Sequence, residues 1–525
     1  MIWHIFIKDL RRLWPIVLGL ALADFIYATL HVMLGPFGDH PTLLEAASLL
    51  DFLISGVNFF LVVAVVQLDP VPEDRQDWLT RPIKRWDLLL SKLLFVIVCI
   101  HGPMLAANLF QGLASGFPLG QSIGAALSWN AYKFVSISTS RFPGTLIALA
   151  IAAATQSIGQ MLAVALAAGI GTFLVAIGLA YMTYGQDVGP AQYQFSLVQW
   201  GLSLFVILFG AATILGLQYF RRATRSAYVV IGVGGFFIWA SFLLMDQNTA
   251  LAVQSDFSSA PGRSISVSFA PEEAKRHVSA MSTVDASFRI SDGYTPIYLP
   301  LRVTNISPGL MLVAEDIHAK FTAADGTTGT YRTVLDLPLH VPGQTDAPMP
   351  LYQVLWVPPD FSRNHTDQSV RVNIDIAFGI LRSRGTYEMA PVRGTLQTRE
   401  GISCATRNNP NRAIQLACLQ PANLPYRVSA ALFDHAKGSH NPTVTRFMYS
   451  DAPFAFDSDM IIRFGSNLPF RAADTGAAYP VGAAQLATSS VVVTTSEPLT
   501  HVMRNVTIPS FRLSEWKAEI PGAEP

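Results

Sequence analysis

The sequence predicts an α-helical polytopic membrane domain of about seven spans, followed by an extracytoplasmic all-β region of Ig-like sandwiches. Three observations predict it. Hydrophobic residues make up 51% of the 525 positions and charged ones only 14%. The long apolar runs stop near residue 246, after which short alternating runs are separated by Pro/Gly turns. Three Lys/Arg clusters, before the first apolar run and in two of the connections between runs, fall on one side of the membrane, as a fixed orientation requires.

The opening residues "MIWHIFIKDLRRLWPIVLGLALADFIYATL" put basic groups before an apolar stretch, as a signal peptide does. The apolar stretch continues past Leu30 without a small-residue cleavage site. Residues 1–13 are therefore expected to form an interfacial amphipathic helix, with Ile2, Trp3, Ile5, Phe6 and Leu10 on one side and Lys8, Arg11 and Arg12 elsewhere. They lead into a membrane domain over 14–246.

A hydrocarbon core about 30 Å thick needs about 20 apolar helical residues. The stretches 14–35, 48–68, 90–112, 197–219 and 227–245 meet that length. Phe142 to Gln186 contains no charged residue, and its length of about 67 Å as helix suits two crossings with a turn in "TQSIGQ" (Thr155–Gln160). Lys8, Arg11 and Arg12, then Arg75, Arg81, Lys84 and Arg85, then Arg221, Arg222 and Arg225 all fall on one side of the membrane in this count. The connections after the first and fifth spans lack Lys and Arg, and the longer connection 113–141 has only Lys133 and Arg141. The N-terminus is thus expected in the cytosol and everything beyond about residue 246 outside.

The segment "DPVPEDRQDWLTRPIKRWDLLLSK" (69–92) is then a cytosolic connection between spans two and three. Pro70 and Pro72 keep its first residues extended. Glu73, Asp74, Gln76 and Asp77 suit the positive end of a helix. A short helix over 73–82, stopped by Pro82, would present Trp78 and Leu79 as an apolar knob between Arg75 and Arg81. Such a knob fits a groove on another protein. From Trp86 a new helix enters the membrane, with Lys92 placed to snorkel. Within the spans, Asp24 and His101 are candidate functional groups, because ionisable side chains in hydrocarbon are costly and face a bundle interior.

The outer half divides into an expected β-sandwich at 250–398 and a second β-rich domain at 399–525. "VRVNIDIAF" puts Val370, Val372, Ile374, Ile376 and Phe378 on one face and Arg371, Asn373 and Asp375 on the other. "IYLPLRVTN" and "YRVSAALFD" alternate in the same way, and "AADGTTG" and "VPGQ" mark turns. Of the three cysteines, Cys99 lies in a span. Cys404 and Cys418, in "CATRNNPNRAIQLAC", would face an oxidising compartment, where a disulfide is expected between them. No second pair accompanies them, which argues against zinc, and no metal site is expected. Asp434, His435 and His440 in "LFDHAKGSH" read as an exposed polar loop.

The formal net charge of zero and the absence of a basic run argue against a nucleic-acid partner. No GxxxxGK[ST], HExxH or GxSxG occurs, so the chain has no phosphate-cradling loop or recognisable hydrolase centre.

The order of an acidic lead, "W", "LTRPI", a short basic turn and "DLLLSKLLF" resembles the permease subunits of ABC transporters of the ABC-2 (type V exporter) class. The resemblance covers roughly residues 1–220 and is strongest over Asp69–Phe95. It implies that Asp74, Trp78, Leu79, Thr80, Arg81 and Pro82 form the ATPase-coupling stretch. It also implies that ATP and Mg²⁺ are bound by a separate ABC ATPase subunit, with no cofactor and no catalysis in this chain. The working unit would contain two permeases, as a homodimer or with a second permease subunit, in contact with membrane lipid. The seventh span and the large outer half depart from the family's pattern of about six spans. The location implied is a bacterial inner membrane, with the outer half in the periplasm binding cargo or a periplasmic partner. The rivals are a membrane-anchored sensor or scaffold whose working part is the outer β region, and a membrane enzyme using Asp24 or His101.

Overall fold

The computed structural model describes residues 1–35, 40–69, 84–136, 142–164, 197–244, 253, 255, 260–273, 293–340, 350–409, 413–421, 426–436, 439–440, 444–446, 454–463 and 487–517. The expected coupling residues Asp74, Trp78, Leu79, Thr80, Arg81 and Pro82 lie outside them.

The first helix, α1 (Ile2–Leu34), runs unbroken through Pro15. Residues 1–13 are continuous with the helix that follows them. The reason is one inward stripe, Ile5, Phe6, Asp9, Leu13, Leu20, Asp24 and Ala28, that continues across residue 13 at helical spacing. Trp14, Leu18, Leu22 and Ile26 form an exposed apolar stripe on the same helix. Helix α2 (Pro41–Gln67) begins with a proline, whose missing N–H costs nothing in a first turn. Then come α3 (Arg85–Phe95) and α4 (Gly102–Ala114), joined without interruption by a π turn over Val96–His101. Pro103 explains the wider turn. It has no N–H to donate, and its ring crowds the carbonyl of Cys99.

Helices α5 (Leu119–Val135) and α6 (Thr145–Ala154) follow, and α7 (Ile158–Val164) leaves α6 at a bend of 119°. The break after Ala154 falls in the "TQSIGQ" stretch. However, α6 has 10 residues, about 15 Å of helix and half a hydrocarbon core. The connection expected over 113–141 also contains α5, a helix of 17 residues. Lys133 near the end of α5 lies 3.7 Å from Asp51 of α2, and Thr155 just beyond α6 accepts a hydrogen bond from Gln67 at the far end of α2 (3.3 Å). So α5, packed on α4, reaches α2 near its end, and after a break α6 runs along α2. Gly144 closes that break: its N–H donates to the Ser136 carbonyl at 3.2 Å, and a Cβ there would lie 2.4 Å from that oxygen.

The last two membrane helices are α8 (Leu197–Gly216), extended by a π turn over Leu217–Arg221, and α9 (Thr224–Leu244). Phe205, Phe209, Phe236 and Phe237 are exposed on them, as on a surface turned to hydrocarbon. Among the described residues four helices are long and apolar enough to cross a membrane: Ile2–Leu34, Thr42–Gln67, Arg85–Ala114 and Gly201–Arg221. They mark a membrane protein.

The second half is built of sheets. In order the strands are β1 (Ser266–Phe269), β2 (Thr295–Thr304), β3 (Leu310–Thr322), β4 (Thr328–His340) and β5 (Pro350–Val357). Next come β6 (Ser369–Met389), β7 (Thr395–Gln397), β8 (Ser403–Asn409), β9 (Ala413–Pro421) and β10 (Arg427–Asp434). The last are β11 (Ser439–His440), β12 (Val444–Arg446), β13 (Phe454–Arg463) and β14 (Ser489–Arg512). A seven-stranded sheet has the order β11-β10-β14-β6-β3-β4, with β12 also on β10. A three-stranded sheet, β1-β2-β5, and a four-stranded sheet, β13-β9-β8-β7, complete the described strands.

The alternating positions point inward. Val370, Val372, Ile374, Ile376 and Phe378 of β6 meet Ile297, Leu299, Leu301 and Val303 of β2 in one core. Cys404, Leu416, Cys418, Val428, Ala430 and Val491 form a second core. A boundary at 398/399 does not separate these units. Strand β14, from the expected second domain, pairs with β6 of the first from Val491↔Met389 to Phe511↔Val370. Each core is a small sheet stacked on one stretch of the shared long one. Three register shifts in the β6–β14 ladder let strands this long bend over both cores.

Candidate functional site

Two polar clusters lie between the membrane helices. The first is built on Lys92. On α3 it shares an inward face with Leu88, Leu89 and Phe95, so its ammonium points into the bundle and is 0% exposed. It donates to Asp9 Oδ2 of α1 and to Asp69 Oδ2, each at 2.8 Å. Lys8 donates to both Asp69 oxygens at 2.8 and 2.9 Å. Lys92 therefore does not snorkel; two carboxylates held inside the bundle satisfy it where it stands. Burial would raise the Asp69 carboxyl, but the ammonium groups of Lys92 and Lys8 hold it below its ordinary value.

This network reaches both ends of segment 70–83. Asp69 is the residue before it and directly follows the end of α2. On the far side, Arg85 donates to the Phe220 carbonyl, and Trp86 packs on the Phe220 ring with centroids 4.5 Å apart. Phe220 belongs to the π turn that ends α8. The feet of the segment are thus tied to α1, α2, α3 and α8. A buried pair of this kind resists separation, because removing one partner strands the other charge in a low dielectric.

The second cluster lines a cavity of about 50 Å³ at the break between α5 and α6. Asp24, Asp51, Asn58, His101, Asn108 and Lys133 contribute to its wall. The two residues singled out in the spans, Asp24 and His101, therefore line the same space. They are not hydrogen-bonded to each other. His101 Nδ1 is 3.2 Å from Asn130 Oδ1, and Nε2 is 3.1 Å from Thr145 Oγ1. The Asn130 amide nitrogen already donates to the Ala126 carbonyl (2.8 Å), so its oxygen faces the ring. The neutral Nδ1–H imidazole satisfies both contacts, donating to Asn130 and accepting from Thr145. His101 thereby pins the end of α5 to the start of α6. The π turn, which ends on this histidine, re-aims it toward the break.

Asp9, Asp69, Asp51, Lys133, Asn130 and Thr145 escape the reading of the sequence by motif. Their one sequence-level signal was an isolated charge or amide beside an apolar run, as in Asp9 within "IFIKDL" and Lys133 within "SWNAYKF".

In the β region, Cys404 of β8 and Cys418 of β9 stand opposite each other and are joined by a disulfide. Cys99 is free and buried. His435 is 3.0 Å from Ser490 Oγ and 3.6 Å from a Glu388 oxygen. No group of three or more His, Cys, Asp and Glu suited to a metal ion occurs among the described residues. A third polar cluster is buried in the shared sheet. Arg427 of β10 donates to Glu315 Oε1 of β3 at 2.6 Å, and His501 of β14 lies 3.2 Å from Glu315 Oε2. Gly379 of β6 makes room for it, since a Cβ there would lie 2.4 Å from the Glu315 carboxylate. The outer half also touches the membrane half: a Cβ on Gly401 would meet the Gln121 side chain of α5 at 2.2 Å, and Leu419 packs with Phe117.

No known family model matches the chain. No curated protein matches it either.

Proposed function

We propose that the chain is the membrane-spanning permease subunit of an ATP-driven exporter in a bacterial inner membrane, working with a separate ABC ATPase subunit that binds ATP and Mg²⁺. The observation that carries this reading is the anchoring of segment 70–83. Asp69 on one side is clamped by Lys92 and Lys8, and Arg85 and Trp86 on the other are seated on Phe220. A segment pushed by a partner protein moves the spans only if its ends are stiffly attached to them. Here they are attached to the spans on both sides. The resemblance of Asp69–Phe95 to ABC-2 coupling segments supports an ABC ATPase as the partner, and the basic residues around the segment favour a cytosolic location.

In this proposal the α5–α6 pair is one discontinuous crossing, and the apolar stretch that begins with α7 supplies the next. The seven-crossing orientation is then retained, with the β region in the periplasm. The Cys404–Cys418 disulfide fits that compartment. Purification of the chain with the products of neighbouring genes tests the reading. An ATPase should co-purify, and Trp78→Ala or Arg81→Ala should release it. Failure of any ATPase to associate removes the exporter reading.

A membrane-anchored sensor is the second reading. It is favoured by the docking of the Gly401 turn on α5, the half-helix whose other end meets His101. Partners captured through the β region, with no ATPase bound, would select it.

A further inference from the structure

A discontinuous crossing places helix ends and an irregular backbone at membrane depth, which hydrocarbon tolerates only where they line a protein-enclosed space. Half-helix ends facing such a space are suited to holding small ions. The cavity between α5 and α6 has two further properties that point to an occupant. Asp24 Oδ2 and Asn58 Oδ1 are enclosed acceptors with no hydrogen-bond partner among the described residues, and so is the donor Asn108 Nδ2. Asp24 and Asn108 are each only 5% exposed.

The charges around the cavity do not cancel. Among the described residues on its wall, Asp24 on α1 and Asp51 on α2 face a single lysine, Lys133 on α5. Lys133 is 3.7 Å from Asp51 and 5.1 Å from the centre of the Trp129 ring, and it also acts on Asp24 through space without a hydrogen bond to Oδ2. The remaining titratable groups on the wall are His101, whose contacts suit the neutral ring, and Tyr27 on α1. α6 contributes only Thr145 and Ala148, and α4 only amide and apolar groups. One negative charge is left over beside two unpartnered oxygens.

We propose that this cavity binds one compact monovalent cation, an alkali metal ion or a proton, at the Asp24 carboxylate. Asn58 Oδ1 supplies a second oxygen. The volume of about 50 Å³ leaves space for a few waters to complete the shell. It is far below the roughly 300 Å³ that a drug-sized solute requires. The site is thus an ion site in the wall of the bundle and not the cargo path. It stands independently of the exporter reading.

Thermal unfolding of the intact chain in detergent tests this, at fixed ionic strength in NaCl, KCl or N-methylglucamine chloride, at pH 6 and pH 8. An alkali-ion site predicts that Na⁺ or K⁺ in place of N-methylglucamine raises the midpoint at pH 8 by about 2 °C or more. Asp24→Asn should abolish that shift, and Asn58→Ala, which keeps the charge, should at least halve it. A proton site predicts no dependence on salt identity but a higher midpoint at pH 6 than at pH 8, lost in Asp24→Asn. Wild-type protein insensitive to both salt identity and pH overturns the proposal even if Asp24→Asn does not fold. So does an Asp24→Asn variant that keeps the wild-type shift.

Discussion

Lys92 and Asp9, 83 positions apart in sequence, meet at 2.8 Å with neither side chain exposed. The pair joins α3 to α1, and through Asp69 it joins both to the end of α2. Lys92→Met removes the hydrogen-bonded cation of buried Asp9 and leaves only Lys8, 3.8 Å from its other oxygen, and breaking such a buried pair costs about 3–5 kcal/mol. The thermal midpoint of the solubilised chain is expected to fall accordingly. Adding Asp9→Leu should recover part of the loss, because an apolar pair of similar volume carries no stranded charge.

The Cys404–Cys418 bond links positions 14 apart. In the chain-entropy account a loop of this size is worth about 3 kcal/mol. Cys404→Ala/Cys418→Ala should lower the stability of the outer half by that order. Thiol labelling of the unreduced protein in native form should be negligible, since Cys99 is buried. Rapid labelling without reductant would contradict the bridge.

Glu315 gives the outer half an acid limit. Burial would raise its carboxyl, but His501 and Arg427 outweigh that and hold it below its ordinary value of 4.5. The sign follows from linkage: the stabilisation is complete above the unfolded value, near pH 4.5 and higher, and is lost as pH falls through the lower folded value. Glu315→Gln should destabilise the fold at neutral pH by removing the carboxylate that buried Arg427 and His501 face. It should also flatten the acid limb of a stability–pH curve. An unchanged acid limb would assign that limb to other groups.

Gly401 has φ +89°, and a Cβ there would meet the Gln121 side chain at 2.2 Å. Gly401→Ala therefore strains a left-handed turn and pushes the turn off α5, at a cost of about 1–3 kcal/mol. Protease nicking between the two halves should rise in that variant. Gln121→Ala, which removes the obstructing amide, should restore protection in part.

The short-range features of this fold are legible in the sequence. The alternation from Val370 to Phe378 and from Ile297 to Val303 names buried faces, because a strand's period of two is local. The pairing of β6 with β14 is not legible, since Met389 and Val491 are joined by topology and not by pattern. The α5–α6 pair, proposed as one crossing, hides for a different reason. Its middle is polar, so it yields no apolar run of crossing length, and α5 reads as a loop with Ser, Asn, Gln and Lys133. Lys92 reads as a snorkelling residue because a helix-end lysine in isolation does so; its partners Asp9 and Asp69 come from elsewhere in the chain. Asp24 and His101 are legible as costly intramembrane groups, but the break that brings them to one cavity is not. The coupling stretch rests on resemblance and on its anchored ends.

The most direct test places a single reactive thiol in that stretch. Gln76→Cys, which spares the coupling residues themselves, adds it to a chain whose other thiols are buried in a span or bonded to each other. A membrane-impermeant maleimide should label Cys-bearing protein in inside-out vesicles and leave it unlabelled in intact spheroplasts. Prior labelling should prevent the ATPase from binding. Labelling from outside, or ATPase binding unaffected by the label, would contradict the account.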